Sequence, residues 1–239
     1  MNGGLLKEVV EGVYWLPSKG FTANCFIVCG EKALVIDPGL TENVPRVVTA
    51  LKELDVEVAV REVRVNAGKS DGGAGAEDRE WEIALTHGHA DHCMAAGAFA
   101  VKSWMHEKDV ERVNARDEAF TVGKWFGERA EDYPTITDFL AGGDEIDLGG
   151  KKLQVMHLPG HTAGSIGFLE KKSGVLFGGD ALFKGSVGRW DLPTGDKNVL
   201  RKTLERLLAL DFTVLCPGHG ELVTEKQREN MERGLQLLE

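Results

Sequence analysis

The chain has 239 residues, of which 42% are hydrophobic and 28% charged, and it carries a formal net charge of −10. That is enough for one large domain or two small ones around a buried core, at a composition ordinary for globular proteins. The acidic balance disfavours a phosphate-backbone partner, which wants clustered Lys and Arg, and an anionic membrane surface. No apolar run approaches the ~20 residues of a membrane helix, and the stretch from Met1 to Glu8 lacks signal-peptide architecture, so a cytoplasmic protein is expected. Four cysteines are too few for a disulfide scaffold. Cys25 and Cys29 lie ~13 Å apart along one predicted strand and cannot bridge each other.

In chain order, 13–16, 25–29 and 33–36 read as strands, the last two joined by a hairpin turn at Gly30 to Lys32. Asp37-Pro38-Gly39 closes the third strand; Asp37 serves either turn chemistry or a metal. Val44 to Leu54 has helical apolar spacing, with Pro45 in the first turn. Val56 to Val65 alternates as one or two strands would. Asn66 to Asp78 is Gly-rich and aperiodic, a loop without a phosphate-binding motif. Trp81 to Leu85 is a strand, Met94 to Ala100 the start of an apolar helix, and Val101 to Met105 a strand. His106 to Asn114 is a short helix with its charges outward. Between 115 and 143, Phe120, Trp125, Phe126, Tyr133 and Phe139 sit amid charge, as in a pocket lid or a satellite core. The β pattern then returns at 145–148, 153–157, 166–170 and 175–177, followed by a helix at 198–210, a strand at 212–216 and a helix at 225–238. The order repeats loosely between halves and suggests two sheets packed face to face with helices outside.

The chemistry concentrates in Thr86-His87-Gly88-His89-Ala90-Asp91-His92-Cys93, on a strand-to-helix turn. Imidazole and carboxylate suit zinc, iron or manganese, and His is uncommon in ordinary turns. Cys93 reads as a small buried packing residue, with a thiol role as the alternative. Three more polar residues follow predicted strands and are flanked by Gly: His161 in Pro159 to Ser165, Asp180 after Gly178-Gly179, and His219 between Gly218 and Gly220. Such glycines allow tight turns and close backbone approach.

Through HGHADH at 87–92, PGHTAGS at 159–165, GGD at 178–180 and PGHG at 217–220, the chain resembles the metallo-β-lactamase-fold hydrolases over nearly its whole length. The resemblance implies a single α/β domain over 1–239, an αββα four-layer sandwich with the site at one edge. It implies two divalent metal ions, zinc foremost, with iron or manganese as alternatives. His87, His89 and His161 would hold the first, Asp91, His92 and His219 the second, with Asp180 bridging. Two such ions sharing a water yield hydroxide at neutral pH, which attacks a polarised carbonyl or phosphorus while a metal stabilises the oxyanion. Asp91 would also orient the nucleophile. Thr162 and Ser165 would either support ligands or cap their own loop. His106 and His157 match no ligand position.

The run Gly179 to Asp196 is similar to the glyoxalase II branch, particularly its short members, which implies hydrolysis of a small-molecule thioester such as S-lactoylglutathione. Where full-length members carry a Lys and a Tyr that contact glutathione, this chain has Arg189 and Asp191; Arg189 can grip a carboxylate, whereas Asp191 cannot replace a phenol. Only twenty residues follow His219, so the helical domain that completes the glutathione site is expected to be missing. The runner-up resemblance is to persulfide dioxygenases, which use one iron and would match His87, His161 and Asp180. A tRNA-processing nuclease fits less well, since no basic surface is visible. A non-catalytic scaffold on this fold expects eroded ligands, and none is eroded.

Overall fold

The computed structural model describes residues 5–60 and 79–239. The first sheet contains β1 (Lys7–Val10), β2 (Val13–Leu16), β3 (Cys25–Cys29) and β4 (Ala33–Ile36) as an antiparallel meander. Helix α1 (Val44–Glu53) crosses over to β5 (Trp81–Ala84), which pairs parallel to β4. The four-residue helix α2 (Ala90–Cys93) continues as a 3-10 turn over Met94–Ala98 before β6 (Ser103–Met105). Helices α3 (Glu107–Asn114) and α4 (Glu118–Thr121) precede β7 (Asp138–Phe139), which ends a seven-stranded sheet in the order β1 to β7.

The second sheet has five strands: β8 (Glu145–Asp147), β9 (Lys152–His157), β10 (Ile166–Glu170), β11 (Val175–Gly179) and, after α5 (Lys197–Leu207), β12 (Val214–Pro217). Neighbours are antiparallel except β11 and β12, which the α5 crossover makes parallel. Helix α6 (Gln227–Gln236) closes the described chain against α5.

The burial pattern dictates the layering. Strands β3, β4, β10 and β11 are buried almost throughout, as strands covered on both faces must be. Between the sheets lie Phe26, Val28, Leu34 and Ile36 from one and Val155, Phe168, Phe177 and Val214 from the other. Phe26 meets Phe177 edge-on at 5.3 Å. The outer face of the first sheet packs Ile27, Val35 and Ile83 against Val47 and Leu51 of α1 and Val110 and Val113 of α3. The outer face of the second packs Leu169, Leu176 and Leu215 against Leu200, Leu204 and Leu207 of α5 and Met231 of α6. This is the αββα sandwich that the sequence led us to expect. Helix α5 starts where it does because the Asp196 carboxylate accepts from the Asn198 and Val199 amides, at 2.8 and 3.0 Å.

Several details differ from the sequence reading. The helix expected from Met94 begins earlier, at Ala90, and tightens to 3-10 geometry by Met94; this early start brings Asp91 and His92 into its first turn. The charges of α3 do not all face outward: Asp109 is 1% exposed and points to the loops beside it. Of the strands expected over Val56 to Val65, residues 56–60 form only an isolated bridge between Val60 and Phe99; 61–65 and the predicted loop at 66–78 lie outside the described residues. The aromatic segment divides between core and surface. Phe120 and Tyr133 are core residues, while Trp125 and Phe139 are exposed. Among the described residues, no helix is long and apolar enough to cross a membrane.

Phe168 is fully buried between the sheets. Phe168→Ala should destabilise the chain by about 3–5 kcal/mol, the usual cost of such a cavity, read from the midpoint of a urea denaturation curve.

Candidate metal centre

The parallel pairs β4/β5 and β11/β12 place their C-terminal ends at one edge of the sandwich. β9 runs the same way as β11, because both are antiparallel to β10. Every candidate ligand follows one of these ends. β5 leads to His87, His89, Asp91 and His92; β9 leads to His161, β11 to Asp180 and β12 to His219. His89 remains extended as the N-cap of α2, so His87 and His89 project from a strand-like segment and Asp91 and His92 from the helical turn that follows.

All seven sequence-predicted ligands meet there, in three overlapping groups whose ligand atoms lie within 4.8 Å of one another. In the first, His87 Nε2, His89 Nδ1 and His161 Nε2 form a triangle with edges of 3.1, 3.1 and 2.9 Å. A tetrahedral ion bound at 2.0–2.1 Å has ligand–ligand edges of roughly 3.3 Å. In the second, His219 Nε2 lies 3.3 Å from His92 Nε2 and 3.0 Å from Asp91 Oδ2. Asp180 stands between the two. Its Oδ1 is 3.2 Å from His92 Nε2, and its Oδ2 is 3.6 Å from His161 Nε2 and 3.7 Å from His219 Nε2. The donor set passes a direct test of fit: Asp180 Oδ1 is buried and accepts no hydrogen bond, since His92 Nε2 is near but misdirected. A buried carboxylate oxygen left this way is costly unless a cation meets it.

The outward ring nitrogens explain why lone pairs face inward. His161 Nδ1 donates to the Arg189 carbonyl at 2.6 Å, which leaves Nε2 unprotonated toward the triangle. His92 Nδ1 meets Asp37 Oδ2 at 2.8 Å, and His87 Nδ1 meets the Thr86 hydroxyl at 3.1 Å. Asp37 also accepts from the Thr86 amide and hydroxyl, at 2.8 and 2.6 Å. It is therefore neither a simple turn residue nor a member of the ligand groups: it is the carboxylate behind His92. Its backbone is left-handed, at φ 52. Asn24 likewise escaped the sequence reading. Its amide oxygen accepts from Trp15 Nε1 and the Ser18 amide, and its amide nitrogen donates to the carbonyls of Pro217 and Gly220, which flank His219. A buried Asn just before a fully apolar strand was the available signal.

Electrostatics sort the cluster by role. Burial, reinforced by the neighbouring imidazoles, holds His87 well below its ordinary pKa and His89 down to about 3. Burial also lowers His161. These rings are thus neutral, the form that ligates. Burial opposes ionisation of Asp180 and Asp91, but His92, His219 and other imidazoles outweigh it and lower both carboxyls. His92 and His219 move up, because Asp180 and its fellow carboxylates overcome the burial penalty.

The remaining predicted residues fall into place. Thr162 and Ser165 bond each other, and the Thr162 hydroxyl also donates to Asp109 of α3; neither bonds a ligand side chain. Cys93 is fully buried, with its Sγ 3.7 Å from the Gly88 carbonyl, and burial pushes its thiol well up; it is a packing residue. His106 and His157 stack on each other at 4.6 Å, outside the ligand groups, and His106 caps α3. Arg189 is exposed, lies over the Trp125 ring, and holds Asp191 in a bidentate ion pair at 2.9 and 2.8 Å. Gripping a substrate carboxylate would mean exchanging that partner. Two glycines are dictated by close approach. A Cβ at Gly188 would strike the Asp180 carbonyl, and one at Gly218 the Asp180 carboxylate and the His92 ring.

Asp37→Asn should weaken cation affinity at the Asp91, His92 and His219 group by about 10–100-fold, the usual effect of losing a partner behind a ligating imidazole. Zinc titration against a competing chelator measures it.

The comparisons with known proteins agree with this geometry. Residues 82–219 match the family model described as the metallo-beta-lactamase superfamily. The hydroxyacylglutathione hydrolase GloC of Haemophilus influenzae is 30% identical over 237 residues, covering 90% of this chain and 94% of that protein. The human acyl-coenzyme A thioesterase MBLAC2 is 29% identical over 238 residues, covering 89% and 80% respectively. The crystal structure of TTHA1623 in a di-iron-bound form superposes with a TM-score of 0.65 at 27% identity, covering 88% of this chain and 93% of that one. The chain belongs to the metallo-beta-lactamase superfamily, and within it to the metal-dependent hydrolases.

Proposed function

We propose that the chain is a thioester hydrolase of the hydroxyacylglutathione hydrolase type, acting on a small-molecule thioester with two divalent cations. One observation carries the reading: two three-residue groups of imidazole and carboxylate adjoin, with Asp180 facing both. His87, His89 and His161 would hold one ion and Asp91, His92 and His219 the other. The donor set suits zinc first and also accepts iron or manganese. Two relatives with thioester-hydrolase names, and the run from Gly179 to Asp196, support the thioester as substrate.

When bound, such ions polarise a carbonyl and lower the pKa of a water. The chain's own residues do the rest. Asp91 sits beside His219 near the surface, where its carboxylate can orient an attacking water and accept its proton. Asp180, fully ionised and fixed between the groups, sets their separation. A thiolate leaves without an acid, so the site needs no dedicated proton donor. The Arg189–Asp191 pair stands at the rim, where a charged thiol carrier would compete for it.

Hydrolysis of a thioester panel, with metal analysis of the same sample, tests the reading. Lactoylglutathione or an acyl-coenzyme A should be cleaved, with about two ions per chain. Chelation should abolish turnover, and zinc should restore it. One iron per chain, with oxygen uptake on a persulfide, would move the chain to the dioxygenases; cleavage of a phosphodiester alone would make it a nuclease. His89→Ala and Asp180→Ala should each lower kcat by roughly 10²–10³-fold or more, the scale on which a single electrostatic stabiliser acts. Circular dichroism should show the fold retained in both.

A further inference from the structure

We infer that Asp109 is a positioning residue for the His87, His89 and His161 group, one buried carboxylate that fixes two ligand loops from a third element; the inference rests on the metal-site reading above. Asp109 belongs to α3 and touches none of the three histidines. Its Oδ2 accepts from the Gly88 amide at 3.0 Å and the Thr162 hydroxyl at 2.7 Å, and its Oδ1 accepts from the Gly164 amide at 2.8 Å. Gly88 lies between His87 and His89; Thr162 and Gly164 follow His161. The two loops come from different sheets, β5 of the first and β9 of the second. One carboxylate therefore sets where the His87–His89 segment sits relative to His161.

Several observations separate this from ordinary packing. Asp109 is 1% exposed, and among the described residues no basic side chain lies within ion-pair distance of it. Burial pushes its carboxyl up to about 6 against the three hydrogen bonds that favour the charge. A charge so placed is costly to stability, and an apolar residue would pack α3 at less cost. The loops are also shaped to reach it. A Cβ at Gly164 would collide with the Asp109 carboxylate, and one at Gly88 with Phe120 and Val113. The fork geometry is specific to a carboxylate, because both oxygens must accept. An Asn amide offers one acceptor and turns an NH2 toward a backbone N–H, so either the Gly164 bond or the Gly88 bond is lost and the fork no longer holds both loops fully.

The test is cobalt(II) titration of the metal-stripped full chain against a chelator, followed by its visible absorption, for wild type, Asp109→Asn and Glu170→Gln. Glu170 is the control: it is another buried carboxylate, bonded to the Lys172 and Ser173 amides and the Ser173 hydroxyl, at the end of β10 roughly 13 Å of strand from Ile166. Wild type should bind two equivalents. Asp109→Asn should weaken one of them by about 10–100-fold and leave the other, while Glu170→Gln lowers thermal stability without moving either affinity. Two equivalents at wild-type affinity in Asp109→Asn would overturn the inference, as would equal weakening of both equivalents in Asp109→Asn and Glu170→Gln. Wild type that binds no cobalt would overturn the metal reading itself and this inference with it. Should Asp109→Asn fail to fold, Thr162→Val, which removes one donor and keeps the carboxylate, decides: a several-fold weakening of one equivalent supports the role, and unchanged affinity sinks it.

Discussion

The site depends on the hydrogen bonds made by the far sides of His87, His92 and His161. A histidine ligates with the nitrogen that carries no proton, and which nitrogen that is follows from what the other one touches. His161 gives its Nδ1 proton to the Arg189 carbonyl, and His92 faces Asp37 in the same way. Take those partners away, and the rings can turn or change tautomer without any ligand being lost from the sequence. Convergence is thus enforced from outside the cluster, by backbone carbonyls and carboxylates that never enter it.

Topology supplies the rest. A strand that ends beside a parallel neighbour delivers its following loop to the same edge, and here both sheets do so at the same end of the sandwich. The ligand loops are short and Gly-rich because there is no room for side chains where they cross. At Gly188 and Gly218 a single methyl group would meet Asp180. The apolar interior of the two sheets and the polar cluster at their edge are built from the same strands, so the rigidity of one is inherited by the other.

Much of this was legible in the sequence. Strand ends followed by Gly-His or Gly-Asp were visible as local patterns, and all seven side chains found one another in space. What stayed hidden was non-local. Asp37 is 55 residues from His92, and Asp109 is 53 and 55 residues from Thr162 and Gly164; no local pattern joins them. Asp109 had a faint signature, since it shares a helical face with buried Val113, four positions on. The carbonyl of Arg189 could not have been found, because a backbone atom leaves no trace in residue type. The start of α2 was misplaced because apolar spacing from Met94 outweighed the polar residues ahead of it, although the chain must already be helical at Asp91 and His92 to turn them inward. The segment at 115–143 resisted reading because its aromatics divide between core and surface, and composition alone cannot say which goes where.

Each three-residue group draws two members from the seven-stranded sheet and one from the five-stranded sheet. An ion held by such a group is a rivet through both layers. Its binding free energy would be spent partly in opposing the sliding of one sheet over the other, since the separated sheets offer no complete coordination set. Cohesion of the whole sandwich then rises with metal supply: the empty chain keeps its fold but resists separation of its layers less than the loaded one.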